Sequence, residues 1–162
     1  MAQDFDTLVI GAGAVGLACA AALAEKGQSV VVVEASDAPG TGNTSRNSEV
    51  IHAGLYYPTG SLKHRMCVEG RRMLYDFLRG AGIDHRKCGK LVVATSPDER
   101  DAIGGLHERA LANGVEGVSL IEADEVAAME PALRAHAALW SPETGIFDSH
   151  AFLLALIARI EA

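Results

Sequence analysis

This chain has little of what marks a membrane, secreted or nucleic-acid-binding protein. It has no long apolar run: the stretch 151–158 near its end falls far short of the ~18 to 20 residues that a bilayer core requires. A basic excess is also absent. Fourteen Lys and Arg against 21 Asp and Glu give a net charge of -7, which argues against nucleic acid as a partner. Cys19, Cys67 and Cys88 are odd in number and show neither CxxC nor metal spacing, so they read as reduced thiols and point to a cytoplasmic protein. Cys19, inside an alanine-rich segment, is expected to serve packing. The six histidines lack paired ligand spacing with Cys or Asp, so no metal site is expected. The opening Met1-Ala2-Gln3-Asp4 carries no positive segment, so no signal peptide is expected.

What is present begins almost at once. Residues 5–10 read as an apolar strand, followed by Gly11-Ala12-Gly13-Ala14-Val15-Gly16, an alanine-rich helix to about Lys26, a second strand over 29–33, and Glu34. This order predicts a dinucleotide-binding βαβ, an α/β fold of the Rossmann type. The three glycines act differently. Gly11 makes the tight turn, Gly13 admits a pyrophosphate to the backbone, and Gly16 lets helix and sheet approach closely. The first amides of the helix lack intrahelical partners and sit at the positive end of its dipole, which suits phosphates. The cofactor is therefore expected to touch Gly11, Ala12, Gly13, Val15 and Gly16. Glu34, 18 residues after Gly16, is placed to accept hydrogen bonds from ribose hydroxyls and to repel a 2′-phosphate.

After Glu34 comes a segment dense in Gly and short polar residues, 37–48, with the chemistry of a ligand loop. Thr44, Ser45, Arg46, Asn47 and Ser48 offer hydroxyls, amides and a guanidinium suited to a phosphate and to the polar edge of a flavin. Apolar residues at helical spacing over 61–79 predict an amphipathic helix. Eight of the 14 basic residues lie between Lys63 and Lys90; a solvated helix face and attraction of an anionic substrate or membrane surface both remain open. A strand is expected at 91–94. Ser96-Pro97-Asp98-Glu99 reads as a capping box opening a helix that ends at Asn113-Gly114. Strands at 119–121 and 137–140 flank a short helix stopped by Pro131, and Asp148 is read as the N-cap of a last helix. The segments expected are 1–88 for the βαβ, loop and following helix, 89–147 for the start of an α+β substrate-facing layer, and 148–162 for the last helix. A βαβ half needs further parallel strands, so the chain is expected to be an N-terminal piece of a longer protein.

The run 42–58 (Gly-Asn-Thr-Ser-Arg-Asn-Ser-Glu-Val-Ile-His-Ala-Gly-Leu-Tyr-Tyr-Pro), with Ser61-Leu62-Lys63, Cys67-Val68-Glu69-Gly70-Arg71, Cys88-Gly89-Lys90-Leu91-Val92-Val93-Ala94-Thr95, Ser141-Pro142-Glu143-Thr144-Gly145-Ile146 and Asp148-Ser149-His150-Ala151-Phe152, resembles the L-2-hydroxyglutarate oxidase or dehydrogenase group. That group belongs to the FAD-dependent D-amino-acid oxidase superfamily. The resemblance implies an FAD-binding domain built from separated segments, hydride transfer from a 2-hydroxy acid to flavin N5, and oxygen or a quinone as electron acceptor. It places Thr44, Ser45, Arg46, Asn47 and Ser48 near pyrophosphate and flavin, and His52 near the ring, as catalytic base or as a group that tunes the flavin, with a structural role for this histidine equally open. Readings left open beside it are an amine or amino-acid oxidase, a glycerol-3-phosphate dehydrogenase-like enzyme and a nonenzymatic dinucleotide-binding module. So are structural roles for Tyr56, Tyr57, Lys63 and Arg65, and peripheral placement at the inner face of a membrane.

Overall fold

The computed structural model describes residues 4–162. They divide into two compact units, each drawn from separated stretches of chain. The first comprises the residues up to Glu49 with Gly80–Asp84 and Asp148–Ala162; the second comprises Val50–Arg79 and His85–Phe147. Chain order alone suggested the intervals 1–88, 89–147 and 148–162, whereas these units interleave.

In the first unit, β1 (Thr7–Ile10) and β2 (Val30–Val33) pair in parallel, Thr7 opposite Val30 and Ile10 opposite Val33, with α1 (Ala14–Ala24) between them in sequence. Asp6 and Ser29 close the entry to this pair: the Asp6 amide donates to Ser29 Oγ at 2.9 Å, and the Ser29 amide to Asp6 Oδ2 at 2.8 Å. Both strands show every second residue partly buried and every other one exposed. The exposed set is nevertheless apolar: Leu8, Ile10, Val31 and Val33. Strands apolar on both sides are the pattern of a parallel sheet covered on two faces.

Helix α1 is apolar around its whole circumference, and it buries Leu17, Ala20 and Ala21. Cys19 turns away from those three and is exposed, so the packing role expected of it is not what the fold uses. The helical rotation between neighbouring positions explains this, because an all-apolar helix gives no sequence clue to which face is covered. The last helix, α5 (Ser149–Glu161), lies against α1 and is joined to it by Arg159 Nη1 and Glu25 Oε1 at 3.0 Å. Asp148 caps it as expected, accepting from the Ala151 amide at 2.9 Å.

The second unit holds two antiparallel sheets. In one, β7 (Ala137–Ser141) lies between β5 (Lys90–Ala94) and β6 (Ser119–Glu122), with Lys90 opposite Ser141 and Ser119 opposite Trp140. In the other, β8 (Gly145–Phe147) lies between two strands of two residues each, β3 (Val50–Ile51) and β4 (His85–Arg86). Sequence reading did not anticipate β3 or β4, since a two-residue strand has no period to detect. Helices α2 (Leu62–Ala81), α3 (Arg100–Ala112) and α4 (Ala123–Met129) complete the set. The capping box at Ser96 and Glu99 forms, but it opens a 3₁₀ turn over Pro97–Glu99 that leads into α3. A second box, Glu122 with Glu125, starts α4.

The core of this unit gathers Ala53, Leu55, Val68, Ala94, Ile103, Ala110, Val115, Val118 and Leu139. Arg71 is also buried, 3% exposed, and its guanidinium binds Glu116 and approaches Glu143 at 3.4 Å. Arg72 pairs with the same Glu116, and Lys87 pairs with Glu143 at 2.8 Å. Much of the basic run is thus consumed by ion pairs within the fold.

Candidate functional site

The glycine turn sits at the C-terminal end of β1. Gly11 holds φ +101°, a conformation that strains any L side chain, and its amide continues the parallel ladder by donating to Val33 O at 2.7 Å. Open space surrounds the turn on the outside: a Cβ built at Gly11 would meet no atom within 4 Å, and one at Gly13 would meet Thr44 Oγ1 at 3.2 Å. Gly16 is the opposite case. A Cβ there would stand 2.0 Å from Gly11 O, so only hydrogen fits where helix and strand cross.

The polar loop folds back onto this turn. Gly40 donates its amide to Ala12 O at 2.9 Å, and the Ala14 amide, in the first turn of α1, donates to Thr44 Oγ1 at 3.1 Å. Gly13, the N-cap position, supplies no side-chain cap, so Thr44 takes over part of that function across 30 residues of sequence. Residues Asn43–Arg46 form a 3₁₀ turn, within which Ser45 Oγ donates to Thr41 O and Gly42 O at 2.9 Å each. Asn47 Nδ2 donates to Thr44 O, and Asn47 Oδ1 accepts from the Glu49 amide. Glu49, at φ 56°, accepts from the Ser149 hydroxyl at 2.7 Å and the Ser149 amide at 3.1 Å, which ties the loop to the start of α5. Ser45, Arg46, Asn47 and Ser48 all remain exposed.

Glu34 reaches the same turn. Its Oε2 accepts from the Ala12 amide at 2.8 Å and its Oε1 from the Ser36 amide at 2.9 Å. Hydrogen bonds from Ser36 and then Ala12 hold its carboxyl below the usual range, so it is an anion with acceptor capacity left on both oxygens. A cleft of about 310 Å³ opens beside it, lined by Ala12, Leu17, Val32, Pro39, Ile157 and Ile160 among others. The fold thus brings together Gly11, Ala12, Gly13, Val15, Gly16, Glu34 and Thr44. A helix start with anion-accepting amides, an acid at the end of β2 and open space at Gly11 have the chemistry that suits a dinucleotide.

His52 belongs to the second unit. It follows β3 and is exposed, while its neighbours Ala53 and Leu55 are each 2% exposed. Its backbone carbonyl accepts from Cys67 Sγ at 3.4 Å. Partial desolvation, helped by the positive charge of Lys90, holds the imidazole below its ordinary value and favours the neutral form that can accept a proton. Tyr56 and Tyr57 each lie under a lysine: Lys90 Nζ is 4.8 Å from the Tyr56 ring centroid and Lys63 Nζ 5.1 Å from that of Tyr57. Sequence reading passed over Asn113, which is buried at 3% exposure. It donates to Gly54 O at 2.9 Å and Tyr57 O at 3.0 Å, and accepts from Thr59 Oγ1 at 2.7 Å. An Asn-Gly pair after a helix reads as a helix end, and that reading hid a side chain that organises residues 54–59.

Strand, glycine turn, capping loop and the acid at the end of the second strand define a dinucleotide-binding βαβ protein. The chain belongs to the FAD dependent oxidoreductase (DAO) family, which it matches over residues 6–162. FAD, not a nicotinamide dinucleotide, is the cofactor of that family, as the polar loop led one to expect. The chain is similar to the L-2-hydroxyglutarate dehydrogenase, mitochondrial, of Arabidopsis thaliana, with 47% identity over 97% of this chain and 32% of that protein. It is 40% identical to the protein of the same name from Homo sapiens, over 90% of this chain and 32% of that protein. This chain therefore spans about a third of the length of the curated relatives it matches. Among solved structures, the L-alpha-glycerophosphate oxidase from Mycoplasma pneumoniae with FAD bound superposes with a TM-score of 0.91 at 23% identity, covering 99% of this chain and 43% of that one. Glycine oxidase from Geobacillus kaustophilus gives 0.84 at 22% identity, over 97% and 44%. These two likenesses establish the fold.

The cytoplasmic placement expected from the cysteines is overturned, because the curated relatives are named mitochondrial. The physical reason is simple: unpaired thiols report a reducing environment and not which compartment provides it.

Proposed function

We propose that this chain is the FAD-binding and first substrate-facing part of an oxidoreductase that converts a 2-hydroxy acid, L-2-hydroxyglutarate in particular, to the 2-oxo acid. The open cradle at Gly11 and Gly13, with the Thr44 hydroxyl at its rim, is the observation that carries the cofactor half of this reading. The substrate half is supported by the relatives named L-2-hydroxyglutarate dehydrogenase. Bound FAD supplies the acceptor for the hydride equivalent leaving the carbinol carbon, and the two electrons then go to oxygen or a quinone. The remaining work falls to the protein. Amides at the start of α1 would receive the diphosphate, Glu34 would receive ribose hydroxyls, and Thr44, Ser45, Arg46, Asn47 and Ser48 would supply polar groups to hold the FAD. His52, neutral near pH 7, takes the hydroxyl proton of the substrate.

The test uses full-length protein loaded with FAD. Under anaerobic conditions L-2-hydroxyglutarate should bleach the flavin absorbance, while glycine and glycerol 3-phosphate should leave it unchanged. Bleaching by either of the latter, with none by the hydroxy acid, would remove the substrate assignment.

A further inference from the structure

The second unit contains a small group of side chains that its own ion pairs leave unused. Residues 53–57 are fixed from beneath: Ala53 and Leu55 are buried in the core, and Asn113 holds the carbonyls of Gly54 and Tyr57. His52 precedes this anchored stretch and Tyr56 lies within it, both exposed. Lys90, the first residue of β5, is equally well held. It pairs across the sheet with the fully buried Ser141, and the Gly89 amide before it donates to Thr144 O at 2.9 Å.

Five other cations of this unit already have an acid. Arg71 and Arg72 share Glu116, Lys87 takes Glu143, Arg79 takes Asp76 and Arg100 takes Glu122. Lys90 has no carboxylate partner among the described residues; its ammonium rests over the Tyr56 ring. The charge of that ammonium also acts on the His52 imidazole. Such an arrangement is electrostatically incomplete, and a carboxylate would complete it. Rigid backbone on both sides means that little side-chain ordering is needed when the anion arrives.

We propose that Lys90 is a specificity-determining residue whose ammonium, steadied over Tyr56, binds a carboxylate of the hydroxy acid. The proposal rests on the function assigned above. Lys90→Met keeps the apolar stem over Tyr56 and removes the charge, Lys90→Gln does so with a polar end, and Lys90→Arg keeps the charge. In full-length, FAD-loaded protein, two quantities are read: the Kd of 2-oxoglutarate by calorimetry, and KM with kcat for L-2-hydroxyglutarate. Losing one charge-assisted contact should raise both Kd and KM roughly 10- to 100-fold, with kcat within about threefold and the melting temperature unmoved. Lys90→Arg should recover most of the affinity. Should the Met variant fail to fold, the Gln variant decides by the same readouts. Values of Kd and KM within about twofold of wild type in a folded charge-removing variant overturn the assignment. The two readings fail separately. Lys90-dependent dicarboxylate binding in a wild-type protein that L-2-hydroxyglutarate does not reduce removes the proposed function and keeps the Lys90 site, whereas wild-type reduction with an unaffected Lys90→Met does the reverse.

Discussion

A single methyl group added at Gly16 and another added at Gly13 should break different things. At Gly16 the new carbon would stand 2.0 Å from Gly11 O, 3.1 Å from Gly11 C and 3.5 Å from Val9 Cγ1. The obstacle is backbone. Gly11 is held by its 2.7 Å bond to Val33 O and by its positive φ, so relief requires α1 to move away from β1 by about an ångström. Overpacking of this kind costs roughly 1–3 kcal/mol, and an immovable carbonyl places Gly16→Ala at the upper end. At Gly13 the new carbon would meet only Thr44 Oγ1 at 3.2 Å, a hydroxyl that can shift by a few tenths of an ångström. The intrinsic cost is then the weakening of one neutral hydrogen bond, from the Ala14 amide to Thr44, about 1 kcal/mol. The same methyl, however, stands where a diphosphate would approach the amides, and losing one charge-assisted contact there should weaken FAD binding roughly 10- to 100-fold. Urea unfolding of apoprotein and flavin-fluorescence titration, both on the full-length protein, separate the two effects. Gly16→Ala should lose stability and cofactor together; Gly13→Ala should keep near-normal stability and lose cofactor. Wild-type FAD affinity in Gly13→Ala, or wild-type stability in Gly16→Ala, refutes the reasoning.

Three further outcomes are expected. Glu116→Gln should destabilise the protein more than Arg71→Met, by about 2–4 kcal/mol against about 1, because the first leaves a guanidinium with a 1% exposed side chain to the 3.4 Å contact with Glu143, while the second leaves a carboxylate that is 47% exposed and can rehydrate; urea midpoints in the reverse order would contradict this. Burial pushes Glu116 upward, but hydrogen bonds from Arg71 and Arg72 outweigh it and hold the carboxyl at about 2 against the usual 4.5. A depressed acid stabilises the fold above its unfolded value, so melting temperature should be flat in this respect above about pH 4.5 and should fall between there and about pH 2, a decline missing from Glu116→Gln. For His52, desolvation and then the charge of Lys90 lower the imidazole below 6.5, so kcat/KM should rise with pH through an acid limb centred below that value. Lys90→Met should move the limb upward, and an unmoved limb would show that the two groups are not coupled.

Much of the first unit was legible in the residues themselves. An apolar strand, three glycines at fixed offsets, an alanine-rich helix and an acid at the end of the next strand are local features, each set by backbone dihedrals and hydrogen bonds within one element. The caps at Ser96 and Asp148 belong to the same class, since a cap involves residues three or four positions apart. Residues 42–58 likewise pointed to a flavin through their side-chain chemistry and their resemblance to a flavoenzyme group.

What tertiary structure decided lies at longer range. The basic run over 63–90 looked like one charged surface, yet the fold sorts it into a buried Arg71 with partners 45 and 72 positions away, surface pairs of Arg72 with Glu116 and Lys87 with Glu143, and three lysines set over tyrosine rings. Cys19 faces outward against the packing role its context suggested, while Asn113 ends α3 as expected and also organises a turn some 56 residues earlier. Periodicity records which residues share a face and says nothing of what that face meets. Arg71 and Lys90 were alike in the sequence only as two of the eight cations between Lys63 and Lys90. Only the tertiary fold, which brings Glu116 and Glu143 to Arg71 and the Tyr56 ring to Lys90, gave one of them two carboxylates and left the other over an aromatic ring.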